Sequence, residues 1–263
     1  MTLLGMSGVG KTTLGCLLPR ETWFHYSGDY RIGTRYLDET ILDVVKTMAM
    51  QHPELKKLLQ ADCIYIRNNI TIQNLEPLSL FLGKIGNPDL GGLGIAEFKR
   101  RQRLYLKAEA DAMADVDSFI EKGQKIYGYP HFLNDAGGSI YSLSEAQWQR
   151  LADKTLILYL EASEEMEQTL IERARKTPKP LNYDEPFLDE KLSEYMAENC
   201  LKDAGEIVPD EFVQWMFPKL MEYRKPLYES IANQHGYRLD ARKIFDLRDE
   251  KDLIDLICDA IGD

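Results

Sequence analysis

The chain is poor in cysteine and histidine, with four of each in 263 residues. Cys16, Cys63, Cys200 and Cys258 lie far apart and form no CxxC pair. That spacing excludes a zinc-ribbon or thioredoxin-type centre, and a chain this long does not need a disulfide framework. Reduced, partly buried thiols are the expectation. His25, His52, His131 and His235 show no metal-ligand spacing either. No apolar run approaches the roughly 18 residues that a membrane helix takes. Positive charge is also scarce, with 32 Lys and Arg against 43 Asp and Glu, a net charge of −11 and a pI of about 5.0. An acidic chain is a poor ligand for nucleic acid or an anionic membrane, so neither is expected as a partner. The opening residues MTLLGMSG carry no positive stretch of the kind that starts a cleaved leader, which favours a cytoplasmic location.

What is present reads as an ordinary globular protein, 44% hydrophobic and 29% charged. Thr2-Leu3-Leu4 reads as the end of a strand, and residues 12–18 as a short helix stopped by Pro19. Trp23-Phe24-His25-Tyr26 is an aromatic strand that ends in the turn Ser27-Gly28-Asp29. Residues 37–97 carry helical periodicity broken by Pro53, Asn68, Asn69 and the glycine-rich stretch 83–94, a loop or lid. A long helix is predicted over 97–123, strands over 126–134 and 155–160, and a helix over 164–175 that Pro178 and Pro180 end. The remainder is chiefly helical, with Tyr237-Arg238-Leu239 as one more strand. Strands alternating with helices predict an α/β fold, a parallel sheet covered on both faces in three layers.

Gly5-Met-Ser-Gly-Val-Gly-Lys-Thr12 matches the phosphate-loop pattern G-x-x-x-x-G-K-[ST] in full. Glycines let backbone N–H groups approach phosphate oxygens, and the helix that follows adds the partial positive charge of its N-terminus. The pattern assigns a nucleoside triphosphate to Gly5, Ser7, Gly8, Val9, Gly10, Lys11, Thr12 and Thr13. Lys11 reaches the β- and γ-phosphates and the Thr12 hydroxyl takes Mg²⁺. ATP and Mg²⁺ are thus the expected cofactors. Asp135 ends a hydrophobic strand, where a second carboxylate for the metal belongs.

Five segments in order resemble the shikimate and gluconate kinase branch of the P-loop small-molecule kinases. After the phosphate loop, Tyr26-Ser-Gly-Asp29 is similar to the family's aspartate-bearing turn, although the first aspartate of that turn is Ser27 here. Glu97-Phe98-Lys99-Arg100-Arg101 resembles its Phe-Arg substrate-site helix. Asn134-Asp-Ala-Gly-Gly-Ser139 resembles its glycine run, with Ala136 at the first glycine. Leu158 to Ser163 followed by Arg173 to Leu181 resembles its fourth strand, helix and lid, with Lys179 where the family has an arginine. Arg224-Lys-Pro-Leu-Tyr228 is similar to its closing Arg-x-Pro-x-Tyr stretch.

The resemblance implies a phosphotransferase that moves the γ-phosphate of Mg·ATP to a small-molecule hydroxyl or phosphate. It implies Lys11, Asp29, Asp135 and Arg175 as catalytic residues and Arg173 on the adenine side. It implies Asp29, Arg100, Arg101, Gly137 and Gly138 around the acceptor. Residues 37–97 and 182–222 have no counterpart in the compact kinases and are expected to be helical insertions in a single domain spanning 1–263. A regulatory ATPase or GTPase switch is an alternative, because Asp135-Ala-Gly-Gly138 also fits DxxG, although no Asn-Lys-x-Asp motif accompanies it. A kinase directed at a macromolecule, in the manner of toxin-like P-loop kinases, is another. The sequence assigns neither the acceptor nor an oligomeric state.

Overall fold

A computed structural model describes residues 1–262. Five strands, β1 (Thr2–Leu4), β2 (Trp23–Ser27), β3 (His131–Asp135), β4 (Ile157–Glu161) and β5 (Gly236–Asp240), form one sheet in the order β2-β3-β1-β4-β5. Every pairing is parallel. Leu3 stands opposite Asp135 on one side and Leu158 on the other. Parallel strands need crossovers, and those crossovers are helices that bury both faces of the sheet. Leu3, Leu4, Leu133, Ile157, Leu158 and Leu160 are fully buried accordingly. The result is a three-layer α/β fold with the phosphate loop following its central strand.

Sheet order fixes where a ligand can sit. The chain leaves β1 toward β2 on one side and leaves β3 across β1 toward β4 on the other. Connections that diverge from neighbouring strands open a crevice at the strands' C-terminal ends. The phosphate loop follows β1 and Asp135 ends β3, so both face this crevice. Inside the sheet, polar side chains satisfy one another: the Thr2 and Thr155 hydroxyls lie 2.7 Å apart, and Asn134 Nδ2 donates to Thr2 Oγ1 at 3.2 Å.

Residues 37–97 form the helices Asp38–Ala49, Pro53–Gln60 and Glu76–Leu82 before the long helix Ile95–Ala114 begins. A second, smaller apolar core lies away from the sheet. It joins Ile85 and Phe98 to Phe187, Leu188 and Leu192 of the helix Glu185–Glu198. Phe212, Met216 and Leu220 of the 27-residue helix Pro209–His235 complete it. The segments 37–97 and 182–222 therefore pack against each other.

The structure corrects several boundaries. The single helix predicted over 97–123 is two, Ile95–Ala114 and Val116–Lys125. They meet at Asp115, whose carboxylate accepts from Arg31 Nε at 2.8 Å and from the Tyr36 hydroxyl at 2.7 Å. Of the strand predicted over 126–134 only the part from His131 pairs, because Gly128 takes φ +74° and Pro130 has no N–H to offer a neighbour. All four thiols are free and exposed rather than half-buried. No helix among the described residues is long and apolar enough to cross a membrane.

Candidate active site

The phosphate loop closes on itself through its lysine. Lys11 Nζ donates to Gly5 O at 2.7 Å and Met6 O at 3.0 Å, which lays the ammonium across the mouth of the loop. Burial pushes its pKa down, and the negative charges of Asp135 and Asp29 pull against that shift. Gly10 caps the helix Lys11–Leu17 at φ +103°, a left-handed conformation that costs glycine nothing and a side-chain-bearing residue about 1–2 kcal/mol. Ser7 and Gly8 are exposed at the rim, while Val9 is buried and anchors the loop from beneath.

Thr12 and Asp135 meet between the phosphate loop and the end of β3. Thr12 Oγ1 donates to Asp135 Oδ2 at 3.0 Å, joining the first turn of the helix to the end of β3. His25 Nε2 stands 3.9 Å from the same oxygen and has no hydrogen-bond partner. Two hard oxygen donors at this separation suit Mg²⁺, which takes few protein ligands and keeps the rest of its shell for phosphate and water.

A cavity of about 330 Å³ opens over the loop. Ser7, Gly8, Gly10, Lys11, Thr12 and Thr13 form one wall, and Ser27, Asp29, Asp135, Gly137 and Gly138 form another. Arg173, from the helix Glu164–Lys176, and the exposed Phe245 flank it, and Ile72 and Leu75 reach in from the segment 37–97. Residues from distant parts of the sequence, Asp29, Asp135, Gly137, Gly138 and Arg173, thus share one space with the phosphate loop.

The glycine run 136–139 is held from below by Glu109, which no motif in the sequence marks, and by Arg224 and Tyr228 of the Arg-x-Pro-x-Tyr stretch. Glu109, on the inward face of the helix Ile95–Ala114, is 1% exposed and its Oε1 accepts from Ser139 N at 3.3 Å. A Cβ on Gly137 would stand 2.2 Å from Glu109 Oε1 and 3.4 Å from Asp29 Oδ1, so only glycine fits between the two carboxylates. Burial lifts the Glu109 pKa to about 7, and the neighbouring Asp29 charge adds to the shift. Arg224 is 5% exposed, donates to Asn182 O at 2.7 Å and lies over the Tyr141 ring. Its Nη1 would meet a Cβ on Gly138 at 3.2 Å. Tyr228 donates to Gly138 O. Asp29 is half-buried, and burial raises its pKa against the hydroxyl of Tyr105, which donates to Oδ1 at 2.9 Å.

Three expected residues stand elsewhere. Arg100 and Arg101 do not line the phosphate-loop cavity. Arg100 is exposed and binds the Glu97 carboxylate through Nε at 2.7 Å and Nη2 at 2.8 Å. Arg101 binds Glu97 at 2.7 Å and Phe81 O at 2.8 Å. Their neighbours Lys99 and Arg103 pair with Asp189 and Glu185 across the second core. The basic cluster is therefore a clasp between helices and not an anion trap facing the loop. Arg100 and Arg101 do border a separate cavity of about 820 Å³, roofed by Thr177–Pro180. Arg175 is exposed near the end of its helix, where its carbonyl accepts from Gln214, and it lines neither cavity.

Comparison with known proteins adds little. No protein-family model matches the chain, and no curated protein matches it. Among solved structures it is similar to the shikimate kinase of Bacteroides thetaiotaomicron at 15% identity and a TM-score of 0.42, over 98% of this chain and 93% of that one. The assignment of the fold rests on the sheet order and the loop described above.

Proposed function

We propose that this chain is a phosphotransferase that binds Mg·ATP on the phosphate loop and passes the γ-phosphoryl group to a hydroxyl of a small-molecule acceptor. The observation that carries the reading is the convergence of Lys11, Thr12, Asp29, Asp135, Gly137 and Arg173 on one cavity. Anion-binding loops alone occur in switches and motors. A half-buried carboxylate beside glycine amides on the γ-phosphate side is what a hydroxyl acceptor needs.

In this reading the N–H groups of the loop through Thr13, together with Lys11, hold the triphosphate, and the lysine leaves the carbonyls of Gly5 and Met6 for phosphate oxygens. Thr12 and Asp135 would hold Mg²⁺, which would supply charge neutralisation at the phosphates. Arg173 and Phe245 offer a cation and an aromatic face to the base. Asp29 accepts the acceptor's proton as the new O–P bond forms and the bond from the γ-phosphorus to the bridging oxygen breaks, releasing ADP. Arg175, exposed on the same helix as Arg173, is carried to the transferring phosphoryl group when the Pro-rich segment closes. The acceptor sits against Gly137 and Gly138, and the segment 37–97 covers it through Ile72 and Leu75.

Titration calorimetry with Mg·ATP on wild type and Lys11→Ala tests binding; wild type gives a saturable heat and the variant none. Turnover of ATP with a panel of hydroxylated acceptors, in wild type and Asp29→Asn, tests transfer. A wild-type protein that binds no purine nucleotide, or a Lys11→Ala protein that works equally well, removes the proposal. A strong preference for GTP over ATP favours the switch instead.

A further inference from the structure

The geometry points to Tyr105 as a positioning residue that orients Asp29 and keeps it ionised for proton transfer; the inference rests on the phosphotransferase reading. Tyr105 lies on the inward face of the helix Ile95–Ala114, 6% exposed, one helical turn before Glu109. Its hydroxyl donates to Asp29 Oδ1 at 2.9 Å. That bond occupies one carboxylate oxygen and leaves Oδ2 for an incoming hydroxyl. It also ties the turn after β2 to a helix built into the core, so the carboxylate keeps one orientation.

The surroundings of Asp29 make the bond matter. Burial favours the neutral acid, which cannot take a proton, and the Asp135 carboxylate at the end of β3 pushes the same way. Glu109 faces the same small space across Gly137. Two groups oppose them: Lys11 from the phosphate loop and the hydroxyl of Tyr105. Arg224, from the helix Pro209–His235, lies under the neighbouring Gly138 and partly offsets Glu109. Once a triphosphate neutralises Lys11, Tyr105 remains as the protein's own donor to Asp29. The phenol stays protonated throughout, because burial and the charges of Asp29 and Glu109 lift its pKa well above the usual value. It therefore orients and stabilises without exchanging a proton.

Tyr105→Phe removes one oxygen and keeps the ring. The first readout needs neither nucleotide nor acceptor: the Asp29 carboxyl is titrated by carbon-13 NMR in the aspartate-labelled full chain, with Asp29→Asn to assign the signal. Its pKa rises by about one pH unit or more in Tyr105→Phe, a tenfold or larger gain in proton affinity. The second readout is the pH profile of phosphoryl transfer. Its acid limb moves up by the same interval, kcat at the old limb falls roughly tenfold, and KM for Mg·ATP is unchanged. If Tyr105→Phe does not fold, a difluorotyrosine at position 105, a stronger donor, carries the test with opposite sign and lowers the Asp29 pKa. An Asp29 titration that ignores both changes overturns the inference, as does a variant whose only defect is a lower melting temperature. Failure of the wild type to bind Mg·ATP sinks the phosphotransferase reading instead and leaves the titration readable.

Discussion

Replacing Glu109 by Gln should make the protein more stable, and increasingly so as pH rises. Glu109 is 1% exposed, its Oε1 has the Ser139 N–H and its Oε2 has no partner. Burial first and Asp29 second lift its pKa from 4.5 to about 7. Below about pH 4.5 the carboxyl is protonated in the folded and the unfolded chain alike, and it adds no pH dependence. Between that value and about 7 the unfolded chain gives up a proton that the folded chain keeps, so stability falls as pH rises; above 7 both are ionised and the loss is complete. A displacement of this size amounts to about 3 kcal/mol, of which about 2 kcal/mol falls between pH 5.5 and 8. Glutamine keeps an oxygen for Ser139 N–H and carries no charge to bury. Urea unfolding of wild type and Glu109→Gln across that range, above the acidic pI, should show the two stabilities diverging by about 2 kcal/mol, or a melting-temperature gap that widens by roughly 4–8 °C. Parallel pH profiles for the two proteins would refute the idea that Glu109 is forced into an apolar site with its charge uncompensated.

Four other outcomes follow from contacts in and around the cavity. Gly137→Ala places a methyl 2.2 Å from Glu109 Oε1, while Gly138→Ala meets Arg224 Nη1 only at 3.2 Å; chemical denaturation should show the first costing about 1–3 kcal/mol and the second less. Arg101→Ala strands the buried carbonyl of Phe81, so stability should drop by about 1–3 kcal/mol while the calorimetric affinity for Mg·ATP stays at the wild-type value. Phe245→Ala removes the exposed ring beside Gly10 and should weaken ATP roughly tenfold, with tripolyphosphate binding unaffected. A triphosphate settling near Glu109, whose pKa burial has already lifted to about 7, should raise its proton affinity further, so calorimetry between about pH 6.5 and 7.5 in buffers of different ionisation enthalpy should report proton uptake on binding.

The parts of the site that were legible in the sequence are those where local chemistry leaves no choice. Glycines at 5, 8 and 10 sit at positive φ, and a sequence cannot disguise that requirement. Strand β3 could be read by its apolar run, and the aspartate at its end follows from the strand. The helix Ile95–Ala114 was legible as a helix but not in phase. Its conspicuous feature is the charge cluster Lys99–Arg103, and charge in an acidic chain invites a functional reading. Those cations are consumed by Glu97, Glu185 and Asp189. The residues of this helix that reach the site are Tyr105, bonded to Asp29, and Glu109, bonded to the glycine run, one and two turns further along. Which turn of a 20-residue helix meets the sheet depends on where the helix enters, and that is set by the preceding loop 83–94. Gly86 N donates to Leu93 O at 3.0 Å and Leu93 N to Lys84 O at 2.8 Å, contacts no periodicity foretells. One signal was nonetheless present. Tyr105, Ala108, Glu109 and Ala112 recur at helical spacing, and a lone carboxylate inside such an apolar stripe is costly to bury. Its position on that stripe, rather than the surface charge beside it, marks the turn that packs against the glycine run.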